Sequence, residues 1–210
     1  LADHAGVPAG SVLPFSTGVI GEPLPVGKIV SALPQALADV SESHWAEAAS
    51  GIMTTDTRPK GASRQIDLDC QAVSISGISK GAGMIRPNMA TMLAFVTTDA
   101  AVERDFLNVT LREVADSSFN MLTVDGDTST NDSLLVLANG LAGNRPVSAG
   151  SEDAATFKEA LLEVCVHLTR EMARDGEGAS RLIIVEVAGA RDTADARKAA
   201  RTVAASNLVK

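Results

Sequence analysis

Thr91 follows a glycine-rich turn, a proline and the small residue Ala90, and it opens the apolar run Thr-Met-Leu-Ala-Phe-Val96. A hydroxyl at the mouth of a buried strand can serve as a nucleophile, but a free threonine is a weak one and needs a base. The usual base is a histidine oriented by a carboxylate. His4, His44 and His167 are the only histidines, and none stands in such a setting. The other route is to cut the chain just before Thr91, so that its own α-amino group, with a pKa of about 7.7–8.0, accepts the proton. The small Ala90 leaves its carbonyl open to attack by the Thr91 hydroxyl. A plainer reading is a threonine with good β propensity that starts a strand, and on residue types alone that reading is the stronger.

Four further clusters carry candidate chemistry. Ser16-Thr-Gly-Val-Ile-Gly21 can turn backbone N–H groups and a hydroxyl toward one point, as an oxyanion hole requires, although such segments are also ordinary turns. Met53-Thr-Thr-Asp-Thr-Arg-Pro-Lys60 crowds hydroxyls around one acid and two cations and reads as a polar turn that caps backbone groups. Gly81-Ala-Gly-Met-Ile-Arg86 suggests a phosphate loop, but Arg86 stands where the dinucleotide fingerprint needs its third glycine, and the Gly-x-x-x-x-Gly-Lys-Ser/Thr pattern is absent. Asp125-Gly-Asp-Thr-Ser-Thr-Asn-Asp132 fails as a calcium loop, because its sixth position is Thr130 and its twelfth is Val136. It reads as a hydrogen-bonded polar loop that supports a site from behind. Lys80 by itself is a surface lysine, and Glu177 an exposed loop acid.

Lys80-Gly-Ala-Gly-Met-Ile-Arg-Pro-Asn-Met-Ala-Thr-Met-Leu93 closely resembles the self-cleavage segment of the ornithine acetyltransferase family of arginine biosynthesis, also called glutamate N-acetyltransferases. Ser16–Gly21, Ile52–Lys60, Phe119–Asp132 and Asp175-Gly-Glu-Gly-Ala179 resemble it in the same order, and the five matches span most of the chain. The resemblance implies an α/β fold, an α-β-β-α sandwich of the N-terminal-nucleophile-like type. Residues 1–90 would be the end of an α chain and 91–210 the start of a β chain, cut between Ala90 and Thr91 and staying together as one domain.

The resemblance also assigns roles. Thr91 is the nucleophile that takes the acetyl group of N-acetylornithine and passes it to glutamate. Thr17 and Gly18 stabilise the oxyanion. Thr54, Lys80, Thr91 and Glu177 bind substrate: a cation at Lys80 suits a carboxylate, and Glu177 suits the amine of ornithine. No metal or organic cofactor is implied, acetyl-CoA is a further acetyl donor in bifunctional members, and cleaved chains pair into a heterotetramer. An N-terminal-threonine amidase or aminopeptidase that passes its acyl group to water, and an inactive fragment, are the competing readings.

Elements must hold these residues in place. Ile29, Leu33, Leu37 and Val40 recur at helical spacing, with Pro34 predicting a kink or break. A short helix is expected over 43–51 with Trp45 inward. Ile66, Leu68 and Cys70 alternate, and Val73, Ile75 and Ile78 continue or follow them as strand. Phe106, Val109, Thr110, Val114 and Phe119 form a helical stripe before a strand at 134–138. A long helix is predicted over 152–174 with Gly176 as its C-cap, then a buried strand over 182–187 and a helix over 194–203.

The chain of 210 residues can bury a real core. A net charge of −8 and 3% aromatic residues argue against a nucleic-acid surface and favour small-molecule partners. Cys70 and Cys165 lie far apart without ligand-type spacing, and both are expected as buried thiols in a reducing compartment. No apolar run approaches the roughly 18 residues of a membrane span, so the expected setting is the cytoplasm, without membrane or nucleic-acid partners. The absent initiator methionine and the ending at Asn207-Leu-Val-Lys210 lead us to expect a fragment.

Overall fold

The computed structural model describes residues 1–86, 92–129 and 131–210. Its centre is a four-stranded sheet in the order β1 (Lys60–Leu68), β2 (Gln71–Lys80), β3 (Leu93–Thr98), β4 (Ser133–Ala138). The first three strands run antiparallel, and β4 lies parallel to β3. β1 and β2 meet through a two-residue turn in which Asp69 and Cys70 both take left-handed φ values, 51° and 60°. Such a turn follows the right-handed twist of the strands it joins. It also places Cys70 in solvent, so only Cys165 is the buried thiol that was expected of both.

Side chains alternate across the sheet, and one face is apolar. Val73 and Ile75 of β2 and Ala94 and Val96 of β3 are fully buried there. Helix α5 (Ala154–Arg174) covers them with Phe157, Leu161, Val164, Leu168 and Met172. Cys165 lies in the same stripe, and burial pushes its thiol up to about 12. Gly77 brings helix and sheet together: a Cβ there would sit 2.9 Å from Val96 Cγ2 and 3.2 Å from Leu168 Cδ1. Helix α4 (Arg104–Ser117) packs beside α5 through Thr110 and Val114, whereas Val109 faces solvent. The α/β class stands, and the described residues form one helix-covered sheet of the expected sandwich. On the opposite face, the Phe15 ring meets Phe95 edge-on at 5.6 Å between centroids.

The remaining α-helices are α1 (Ala2–Ala5), α2 (Val26–Ala38), α3 (Trp45–Gly51) and α6 (Thr193–Ala204), and two short 3-10 turns lie at Ala9–Ser11 and Phe119–Met121. Four expectations are corrected. Pro34 sits inside a single continuous α2, so of the kink or break expected there the break does not occur. Trp45 is 39% exposed and does not enter the core. Helix α5 is capped by Asp175, and Gly176 is required by space, since a Cβ there would lie 3.0 Å from Val124 Cγ1. Residues 182–187 form no strand, and Ile183 and Ile184 are exposed, because no neighbouring strand among the described residues supplies a ladder for them.

Candidate active site

The register brings one end of every strand to the same place. Lys80 closes β2 opposite Leu93, which opens β3; Leu93 in turn pairs with Ser133, the start of β4. Lys60 opens β1 opposite Ser79. The C-terminus of α5 arrives at this end too, carrying Asp175 and Glu177. Four separated motifs therefore converge because strand starts, strand ends and a helix end share one edge of the layer.

A buried ion network joins them. Lys60 is 1% exposed, and its Nζ donates to Asp56 Oδ1 and to Asp175 Oδ2, each at 2.6 Å. Asp56 also accepts from the backbone N–H of Gly81 at 2.7 Å and of Thr54 at 3.2 Å. Asp175 accepts from the Thr57 N–H at 3.0 Å and from the Thr57 hydroxyl. Burial pushes the Asp56 carboxyl up, but the Gly81 N–H, Lys60 and the Thr54 N–H outweigh it and hold the group below its ordinary value. Asp175 follows the same balance, with burial opposed by Lys60 and Thr57. The segment read as a polar turn does cap backbone groups through Asp56, and what that reading lacked is the buried ion network that Asp56 and Lys60 form with Asp175. Its sequence signal was the spacing Asp56-x-x-x-Lys60 beside Pro59, with a second acid directly after a long helix.

The network positions the cleft next to it. Lys80 is also 1% exposed, and its Nζ donates to the Thr54 hydroxyl at 3.2 Å. Burial lowers its pKa, Asp56 opposes that shift, and Lys60 adds to it. A lysine in this state gains from an anion that enters the cleft. Glu177 is fixed by its backbone N–H, which donates to Ala82 O at 2.7 Å, and its carboxylate lies against Gly83. A Cβ on Gly83 would come within 2.7 Å of Glu177 Cδ and Oε1, so glycine leaves room for the acid.

A cleft of about 430 Å³ is lined by Thr17, Gly18, Thr54, Lys80 and Glu177, together with Asp125. These are all the sequence-predicted site residues except Ala90 and Thr91, which lie outside the described residues. Thr17 is half-buried, two residues after the Phe15 anchor on the sheet. Nothing within 4 Å would meet a Cβ on Gly18, so packing gives that glycine no structural reason. Among the described residues, no group of three or more His, Cys, Asp or Glu side chains is placed to hold a metal ion. No helix among them is long and apolar enough to cross a membrane.

The sequence model of the ArgJ family matches residues 1–210. The chain belongs to the ArgJ family. It is 56% identical over 195 residues to the arginine biosynthesis bifunctional protein ArgJ of Symbiobacterium thermophilum, a match covering 93% of this chain and 48% of that protein. It is 52% identical over 211 residues to the protein of the same name from Pseudomonas fluorescens, covering all of this chain and 52% of the relative. The crystal structure of the Bacillus halodurans ArgJ protein resembles it with a TM-score of 0.54 and 46% identity over 55% of each chain. The chain spans about half the length of the curated ArgJ relatives it matches.

Proposed function

We propose that this chain is the nucleophile-bearing part of an enzyme that moves the acetyl group of N-acetylornithine to glutamate in arginine biosynthesis. The observation that carries the reading is the cleft: a buried ammonium at Lys80 and a carboxylate at Glu177 share it with Thr17 and Gly18. Opposite charges in one cleft suit a substrate that carries both a carboxylate and an amine.

The reaction begins with self-cleavage. The Thr91 hydroxyl oxygen adds to the Ala90 carbonyl carbon, the Ala90–Thr91 C–N bond breaks, and the hydroxyl proton ends on the nitrogen. Water then hydrolyses the resulting ester, which gives the Ala90 carboxylate and a free Thr91 with its α-amino group. Residues 1–90 and 91–210 remain associated as one domain. In transfer, that amino group accepts the Thr91 proton while the oxygen attacks the acetyl carbonyl. Thr17 and Gly18 receive the oxyanion, and ornithine departs with the proton. Glutamate attacks the threonine ester and leaves as N-acetylglutamate, so the scheme is ping-pong and uses no metal or organic cofactor. Acetyl-CoA can replace N-acetylornithine as acetyl donor. The mature enzyme is a cytoplasmic heterotetramer of paired cleaved chains, acting on small molecules with no nucleic-acid or membrane partner.

The test is transfer of labelled acetyl from N-acetylornithine to glutamate by the full-length protein. Wild type is expected to form labelled N-acetylglutamate, and Thr91→Ala to form none and to stay uncut. Label recovered only as acetate would instead identify a hydrolase that uses water. Lys80→Met is expected to raise KM for glutamate by about ten- to a hundredfold, the loss of one charge-assisted contact of roughly 1.5–3 kcal/mol. Because Lys80 is held below its ordinary pKa, wild-type KM should rise with alkaline pH as the ammonium is lost. Steady-state rates between pH 7 and 10 show whether the Lys80→Met variant lacks that rise.

A further inference from the structure

The acidic loop 125–132 was expected to support the site, and its contacts specify how. At its start, Asp125 accepts from three backbone N–H groups: Met84, Ile85 at 3.0 Å and Asp127 at 3.0 Å. Val124 N–H donates to Ile85 O at 2.8 Å, making the same grip two-sided. At its end, Asp132 Oδ1 accepts from the Met92 N–H at 2.8 Å, and Ser133 N–H donates to Met92 O at 3.0 Å. Between them, Asn131 Nδ2 donates to Ser16 O, beside Thr17. One eight-residue loop therefore holds the backbone before and after the stretch that contains the Ala90–Thr91 bond, and touches the Ser-Thr-Gly segment as well.

Two details point to a function beyond packing. Met84 takes a left-handed φ of 53°, a conformation costly for a residue with a side chain, and its N–H is one of the three on Asp125. The second oxygen of Asp132 is buried and has no hydrogen-bond partner among the described residues. A carboxylate kept in that state costs stability, which is commonly tolerated where a group serves a reaction.

We propose that Asp125 and Asp132 are positioning residues for self-cleavage, gripping the backbone on either side of the segment that is cut, and that Asp132 afterwards holds the new chain start through the Met92 amide. The inference rests on the self-cleavage described under Proposed function. Neither carboxylate forms or breaks a bond in it. Their effect is geometric: an intramolecular attack gains rate when both ends of the reacting segment are fixed.

The number of acceptor oxygens supplies the test. Asp132 uses one oxygen toward Met92, and Asn retains one; Asp125 uses both, and Asn retains only one. In the full-length protein, cleavage followed by intact mass should slow for Asp125→Asn and remain within about threefold of wild type for Asp132→Asn. Asp132→Ala should slow cleavage about tenfold or more, and its cleaved product should lose kcat with KM within about twofold, since the nucleophile is misplaced and the cleft intact. Thermal melts of each variant separate these effects from global unfolding. Equal cleavage rates in both Asn variants, or slower cleavage in Asp132→Asn than in Asp125→Asn, overturn the proposal, and the folded Asn pair decides it even if the alanine variant fails to fold. A wild-type protein that remains uncut, indistinguishable from Thr91→Ala, defeats the self-cleavage reading itself and the positioning role with it. Wild-type cleavage with unaffected variants defeats the positioning role alone.

Discussion

An ammonium group shielded from water between two carboxylates cannot be removed without leaving charge buried. That is the position of Lys60, 2.6 Å from Asp56 and 2.6 Å from Asp175. Lys60→Met should therefore cost about 3–5 kcal/mol in urea unfolding, the usual result of removing one partner of a buried pair. The pH dependence follows from the same contacts. Asp56 and Asp175 are held below their ordinary values, so they add stability above the unfolded pKa near 3.8 that is lost as pH falls through their folded values. In Lys60→Met the two acids lose their cation, burial raises them, and protonation relieves the penalty. The gap between wild type and variant should narrow as pH is lowered from 7 to 4; a constant gap would contradict the network.

Asp132 has the opposite sign. Burial raises it to about 6 even though the Met92 N–H opposes the shift. A raised carboxyl favours folding at low pH, and that contribution is lost as pH rises through about 6. Asp132→Asn should accordingly raise the melting temperature at pH 7, and by more than at pH 4. A residue present only for packing would show a loss at both.

At the scale of elements, the strongly periodic segments were legible in advance: α4 and α5 from their 3.6-residue stripes, and β1 and β2 from alternation. Part of what sequence reasoning missed was local, and part depended on partners distant in the chain. Pro34 left α2 unbroken, and the apolar residues 182–187, read as a strand from composition, had no strand beside them. The hairpin turn at Asp69-Cys70 lacks the Asn-Gly or Asp-Gly pair that usually marks its type, so alternation was carried two residues past the end of β1 and Cys70 was placed inward. Gly77 passed unnoticed because its reason lies across the sheet, in Val96 and Leu168. Gly77→Ala should cost about 1–3 kcal/mol by overpacking, measured as a shift in the denaturation midpoint with an unchanged slope. No change would mean that α5 is free to move away.

Across the whole molecule, the candidate site is an assembly of strand ends, and that explains how much of it could be read in advance. The family resemblance pointed to Thr17, Gly18, Thr54, Lys80 and Glu177 one at a time, and all five line one cleft. Asp56, Lys60 and Asp175, which hold the walls in place, were not singled out, because two acids 119 positions apart (175 − 56) acquire meaning only when a strand and a helix end meet. Gly83 is similar: its role appears once the Glu177 carboxylate lies against it. Gly83→Ala should displace that carboxylate and raise KM for the amine-bearing substrate while the melting temperature changes little.

The central claim is that the chain carrying these residues makes its own nucleophile. Intact mass and N-terminal sequencing of the protein purified with its natural flanking regions test it most directly. Two fragments, the second beginning Thr-Met-Leu-Ala-Phe, are predicted. A single uncut chain under native conditions would contradict the account.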